Sequence, residues 1–447
     1  MERFGGQDRE QTASIRQVAG ASLLGTTIEW YDFFLYVTAA SLVFNQLFFP
    51  EFEPLVGTLL SYSVNAVAFV ARPIGGAVFG HFGDRMGRKS MLIATLLLMG
   101  IATFAIGCLP TYAQIGVAGP IILILLRFLQ GLGLGGEWGG AVLMAVEHSP
   151  EQRRGFYGSF PQMGIPAGVI LSSLAFLAVG LLPNDQFLAW GWRIPFLLSI
   201  VLVGVGLYIR LNILESPAFQ GLQESGSASQ MPIIDTFREH WKQVLVVAGA
   251  YLAQNVVFYI LIAFTLAYGQ DQLGLTRPFM TSIVVISSVV SFLLLPAFAL
   301  WSDRIGRRPL LLIGTVGMAV TAFAMFPLLD TRSYPLMLLG HLLLTVFQSM
   351  NLGPIATFFV ELFPTRVRYT GATMGYQAGT IVAGGSALII ATALLAYTGT
   401  GLSVAAYIAI MCVLSFVAIY AGAETYQRDI EEDVGDPSLA PGSQTTS

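Results

Sequence analysis

Long apolar runs alternate with short polar breaks along almost the whole chain. A bilayer-spanning helix needs about 20 apolar residues. Such runs occur near 18–47, 54–79, 90–109, 119–147, 156–182, 191–211, 243–270, 278–301, 310–328, 335–362, 370–396 and 401–421. The pattern predicts an all-α membrane protein with twelve transmembrane helices. Residues 212–242, containing Glu224-Ser225-Gly226-Ser227-Ala228-Ser229, form the one long polar break and divide the spans six and six. The expected organisation is therefore a polar N-terminal segment (1–17), a six-helix bundle (18–211), a central loop (212–242), a second six-helix bundle (243–421) and a tail (422–447). That tail is acidic and rich in Ser, Pro and Gly, a composition expected to stay disordered.

Two of the short breaks are copies of one another. Gly80-His81-Phe82-Gly83-Asp84-Arg85-Met86-Gly87-Arg88-Lys89 returns about half a chain later as Ala299-Leu300-Trp301-Ser302-Asp303-Arg304-Ile305-Gly306-Arg307-Arg308. Each reads as a tight charged turn between two membrane helices. The fourth and tenth spans also end alike. An acid, Glu147 or Glu361, closes the span, and a proline and two arginines follow (Pro150, Arg153, Arg154; Pro364, Arg366, Arg368). Two parallel six-helix pseudo-repeats account for both pairs, and such duplications are how secondary transporters build a site between two halves.

Composition agrees. The chain has 447 residues, of which 55% are hydrophobic and 11% charged, with a mean hydropathy of +0.71. Ordinary soluble domains carry about 25% charged residues, so most of this surface must face lipid. The net charge of −4 is less informative than its distribution. Arg277 and Arg332 are the basic residues of the loops on one side, and Arg72, Arg127 and Arg193 fall within or at the edge of spans. The rest of the 22 Lys and Arg lie on the other side, so both termini are expected in the cytoplasm. The polar, mixed-charge start argues against a cleavable signal peptide. Cys108 and Cys412 lie in apolar runs and read as small core residues, with neither a disulfide framework nor a metal cluster expected.

The motifs identify a resemblance. The Asp84 and Asp303 turns resemble the signature loop of the major facilitator superfamily, with Ala299 where a glycine usually leads, and Arg127-Phe128-Leu129-Gln130-Gly131 fits its fourth helix. Longer strings are similar to those of the metabolite:H+ symporter family: Ile28-Glu29-Trp30-Tyr31-Asp32-Phe33-Phe34-Leu35-Tyr36, Arg72-Pro73-Ile74-Gly75-Gly76, Gly135-Gly136-Glu137-Trp138-Gly139-Gly140, Trp190-Gly191-Trp192-Arg193-Ile194-Pro195-Phe196 and Glu215-Ser216-Pro217-Ala218-Phe219. The resemblance covers nearly the whole chain. It implies the twelve-helix major facilitator fold and proton-coupled import, through a cell (inner) membrane, of shikimate, 2-oxoglutarate, citrate, proline, betaine or a related small acid or zwitterion. The long C-terminal coiled coil of the osmosensing proline/betaine members is missing, which counts against that branch.

Ionisable residues inside a membrane are costly and by default point to function. Glu29 and Asp32 share one face of the first helix. Arg127, Gln130, Leu134 and Glu137 form a stripe on the fourth, among glycines that let another helix pack closely. Glu29 and Glu137 lie at similar depth, where a cation such as Arg72 between them would make a site for an exchangeable proton. Asp32, Glu29 and Glu137 are the proton-coupling candidates, with Asp32 preferred. Arg127 offers a planar fork for a substrate carboxylate. Arg72, Gln130 and Tyr31 join it as candidate substrate residues, together with Gln254, Asn255, Gln348, Asn351, Tyr376 and Gln377 from the second half. Every one of these fits interhelical hydrogen bonding as an alternative. Arg193 reads as an interfacial anchor and His341 as a satisfied bundle residue. Asp84, Arg85, Arg88, Asp303, Arg304 and Arg307 are expected to gate, each carboxylate accepting bonds from a neighbouring helix N-terminus.

A proton-driven efflux antiporter is the competing function. Such antiporters often carry Gly-Pro on the fifth span, whereas Ile165 separates Gly164 from Pro166 here. No nucleophile elbow, phosphate loop or His-rich cluster argues for an enzyme, a cofactor or a metal, and nothing argues for nucleic acid. The expected partners are a small-molecule substrate, protons and the bilayer, with the carrier acting as a monomer.

Overall fold

The computed structural model describes residues 2–426 except 87, 136–137, 148, 213–235, 237 and 364–366. Side chains of 2–14, 80–92 and a few other helical positions lie outside the description. Twelve principal helices follow in order: α1 (Glu2–Leu42), α2 (Pro54–Met86), α3 (Arg88–Cys108), α4 (Ala118–Gly135 and Trp138–Glu147), α5 (Arg154–Val179), α6 (Arg193–Asn212), α7 (Trp241–Asp271), α8 (Arg277–Ile305), α9 (Arg307–Asp330), α10 (Tyr334–Glu361), α11 (Arg368–Thr398) and α12 (Leu402–Ala421). Among the described residues nine helices are long and apolar enough to cross a membrane, or ten if Asn184–Gly191 and the start of α6 make one bent span. The other two expected spans are helical as well: α1, and α3 with its apolar stretch Ile93–Cys108.

The duplication is visible in how the helices pair. In the first half α1 packs on α5 and α6, α2 on α4, and α3 on α4 and α6. In the second half α7 packs on α11 and α12, α8 on α10, and α9 on α10 and α12. Contacts between the halves repeat the symmetry, α5 against α8 and α2 against α11. Close approach of α2 and α4 depends on absent side chains. A Cβ at Gly131 would run into the backbone of Ala68, and one at Gly135 into the carbonyl of Arg72. The glycine stripe of α4 therefore sets the height of Arg72 in the bundle.

Both α7 and α11 are interrupted by a π-helical turn, at Ile260–Phe264 and Thr380–Gly384. Such turns free backbone carbonyls and recur at functional sites. Here the freed Leu261 carbonyl accepts from His341 Nε2 at 3.0 Å, so Nδ1 is left to accept from Ser287 at 2.8 Å. His341 is a satisfied bundle residue. Arg193 donates to the carbonyls of Gly107 and Leu109 at the end of α3, at 3.0 and 2.5 Å, and stacks on Trp192. It is an anchor. Of the two cysteines expected in the core, Cys412 is buried but Cys108, on the last turn of α3, is exposed.

Candidate functional site

Arg127 is fully buried, on the face of α4 turned toward α1 to α3. Its guanidinium lies 4.2 Å from the ring centres of both Phe33 and Tyr36, which offset part of the cost of burying a charge. One Nη donates to Gln130 Oε1 at 2.9 Å, one helical turn along, and the other donates to Asn65 Oδ1 on α2. Gln130 Nε2 then donates to the Thr103 hydroxyl at 2.8 Å, and Thr103 in turn bonds the buried carboxyl of Asp32. No ion pair joins Asp32 to Arg127 among the described residues. The two are linked at one remove.

Thr103 holds the pivotal place in that chain. Its single hydroxyl proton also has the Met99 carbonyl within reach, at 2.9 Å. A hydroxyl donates once and accepts twice. When Asp32 is ionised, the proton turns to Asp32. When Asp32 is protonated, its own O–H donates to Thr103 and the threonine turns to Met99. The Gln130 bond is kept in both cases. The Thr103 hydroxyl thus lies between Asp32 and the Gln130–Arg127 pair.

The second cation has a different setting. Arg72, on α2 immediately before Pro73, is 2% exposed. Its guanidinium lies 4.5, 4.8 and 5.6 Å from the ring centres of Phe69, Phe33 and Trp30, and it bonds Tyr259 from the other half. Among the described residues its Nε and Nη2 have no hydrogen-bond partner. Arg72 lines a closed central cavity of about 20 Å³ with Thr26, Glu29, Trp30, Trp138, Tyr376 and Gln377. That volume holds about one water, so a substrate enters only when the halves part. Trp138 and Tyr376 stack face to face across the halves at 3.9 Å and 4°, and Tyr376 meets Tyr251 hydroxyl to hydroxyl at 3.4 Å.

The remaining candidates divide by partner. Gln377 reaches across to the Gly135 carbonyl at 3.4 Å through Nε2, leaving Oε1 without a partner. Gln254 Oε1 and Asn255 Nδ2 on α7 are likewise buried and unpartnered. Gln348 is buried on α10. Asn351 bonds the Leu311 carbonyl and Thr315 at 3.2 and 3.1 Å and so joins α10 to α9. Tyr31 donates to the Pro195 carbonyl at 2.9 Å, tying α1 to α6 away from the central cavity. Glu137 lies outside the described residues, as do the side chains of Asp84, Arg85 and Arg88.

At one end of the bundle the second charged turn spans the two halves. Asp303 accepts from the N–H groups of Gly155 and Phe156, in the first turn of α5, at 2.8 and 2.9 Å. Two orphan donors of a helix N-terminus are met by one carboxylate. A Cβ at Gly155 would strike Arg307, Asp303 and the Ala299 carbonyl, so the approach requires glycine there. Arg307 bonds Asp303 at 2.6 Å and Glu361, the acid closing α10, at 3.3 Å. Arg304 is exposed beside them. Residues 423–426, within the segment read as tail, complete the network. Glu424 accepts from the N–H groups of Arg307 and Arg308 at 3.0 Å each, and the Thr425 hydroxyl donates to Glu361 at 2.6 Å. The sequence had marked Glu361 only as half of a repeat and gave Glu424 and Thr425 no role. Toward the opposite end, Thr58, Phe264, Tyr268, Asp271 and Thr392 line a cleft of about 340 Å³ between α2, α7 and α11.

Comparison with known proteins extends this picture. Residues 18–432 match the family described as "Sugar (and other) transporter". The chain is 41% identical over 424 residues to the inner membrane metabolite transport protein YhjE of Escherichia coli K12, covering 93% of this chain and 96% of that one. It is 40% identical to the shikimate transporter of the same organism, over 90% and 92% of the two chains. It is 33% identical to the E. coli K12 proline/betaine transporter, over 83% and 76%. Among solved structures, the D-xylose-proton symporter superposes with a TM-score of 0.73 at 20% identity, over 92% of this chain and 99% of that chain. These relatives are transporters, and the chain is a multi-pass membrane protein with their fold.

Proposed function

Since the chain belongs to the sugar (and other) transporter family within the major facilitator superfamily, we propose that it imports a small organic acid or zwitterion together with protons by alternating access. Relatives named for shikimate and for proline and betaine frame the substrate class. The observation that supports the coupling is the chain Asp32–Thr103–Gln130–Arg127, in which one proton on a buried carboxyl turns the hydroxyl that accepts from the partner of a buried guanidinium. The Asp303 end faces the cytoplasm with both termini, following the Lys and Arg distribution. In this state the Asp303–Gly155 latch closes that end, and the cleft at the other end is the external approach. The carrier acts as a monomer, because its central cavity is built between the halves of one chain.

Uptake of a labelled panel of shikimate, 2-oxoglutarate and glycine betaine into energised vesicles tests this. External acidification should accelerate accumulation and an uncoupler should abolish it. Accumulation that survives the uncoupler, or depends on sodium alone, sinks the reading. Accumulation that rises with the uncoupler instead marks a proton-driven exporter.

A further inference from the structure

We infer that Arg72, and not Arg127, takes the substrate's carboxylate, and that the substrate is an acid whose body lies flat against the Trp138–Tyr376 pair. This rests on the transporter reading above and specifies its binding site.

The two arginines differ in what they have left to offer. Both Nη groups of Arg127 are engaged, by Gln130 and Asn65, which leaves Nε alone unpartnered, and the side chain does not line the central cavity. An anion could grip it with two bonds only by displacing Gln130 or Asn65. Arg72 lines the cavity, is 98% removed from solvent, and keeps Nε and Nη2 unpartnered. Nε and one Nη are the edge of the guanidinium that meets a carboxylate with two parallel bonds. A buried donor without a partner is costly. The protein holds it in place with three aromatic faces and the Tyr259 bond, so the fork is preset for an incoming anion.

The rest of the lining indicates what the carboxylate is attached to. Trp138 from one half and Tyr376 from the other stack at 3.9 Å, a closed pair that an unsaturated or apolar ring would separate. Gln377 lines the same cavity with Oε1 unpartnered, an acceptor for a hydroxyl or ammonium on the substrate. Donors at Arg72 and an acceptor at Gln377, on opposite halves, make a hydroxylated or zwitterionic carboxylate the group that bridges them. Filling the cavity and parting the stacked pair are then one event.

The test uses the purified full chain in detergent, read by tryptophan fluorescence, with shikimate, shikimate methyl ester, 2-oxoglutarate and glycine betaine as probes. The wild type should bind at least one of the acids, and should bind shikimate at least tenfold better than its ester. Arg72→Met should erase that preference, and Arg72→Lys should restore part of it. Ligand-free Arg72→Met should melt closer to the wild type than Arg127→Met does, because two of the donors it removes are unpaired, while its rise on adding acid should disappear. Arg127→Met should melt lower, because Asn65 and Gln130 lose their donor, yet the folded fraction should still prefer the acid to the ester. The inference is overturned if the preference survives in Arg72→Met, if only Arg127→Met removes it, or if no acid binds the wild type. Uptake that ignores an uncoupler would overturn proton coupling and leave these binding results standing.

Discussion

Asp32 and Arg127 are joined through Thr103 and Gln130 and do not form an ion pair with each other. A direct pair would hold both charges until one was neutralised. An interposed hydroxyl can instead change its acceptor without any helix moving. The chain of bonds from α1 to α4 runs through Thr103 on α3.

Asp32→Asn should abolish uphill accumulation while sparing exchange of internal for external substrate, since exchange needs no net proton movement. Counterflow in proteoliposomes with and without an imposed pH gradient separates the two. Uphill accumulation in the variant would move the coupling site to Glu29 or Glu137.

Thr103→Val conserves shape but removes the rotor. It leaves Gln130 Nε2 without its acceptor, at a cost of about 1–3 kcal/mol, and it cuts Asp32 off from Arg127. The expected result is a lower melting temperature together with uptake whose rate no longer follows external pH. Thr103→Ser should retain the pH dependence. If Thr103→Val keeps the wild-type pH profile, Thr103 serves only as packing.

Asp303→Asn should weaken the hold on the α5 N-terminus. Hydrogen bonds to a charged group contribute about 1.5–3 kcal/mol, so the balance between states should move by roughly tenfold or more toward the form open at the Asp303 end. Gly155→Ala should act in the same direction through its clash with Arg307 and the Ala299 carbonyl. Distances between spin labels at that end of α5 and α8 report the shift. Substrate affinity falling in step with transport rate would instead place Asp303 at the binding site.

Glu424→Ala should strip the Arg307 and Arg308 N–H groups of their acceptor, at a cost of about 1 kcal/mol in line with other helix N-caps. The melting temperature should fall by a few degrees. Turnover should change in the same direction as for Asp303→Asn, because Arg307 bridges the two sites. An unchanged melting temperature would show that the bonds of Glu424 add nothing net.

Hydropathy determined the class and the helix positions, because a bilayer leaves a polar backbone few solutions and each costs about 20 apolar residues. The two charged turns carried the duplication, and buried charge carried the list of site candidates, since a charge in lipid is too costly to be accidental. Which partners each charge meets was decided only in three dimensions. Arg72 and Arg127 look alike in sequence. Their difference lies in surroundings that packing supplies: Asn65 of α2, with Gln130 one turn along α4, for Arg127, and aromatic faces and a cavity for Arg72. Tyr31 proved to be spent on Pro195, and Asn351 on α9, for the same reason. The roles of Thr103, Glu424 and Thr425 had no signal of their own, because a hydroxyl in an apolar run or an acid in a polar tail is ordinary until packing gives it a partner. Hydropathy is a property of one segment and can be read along the chain. The satisfaction of a buried donor is a property of pairs, and only the tertiary structure pairs them.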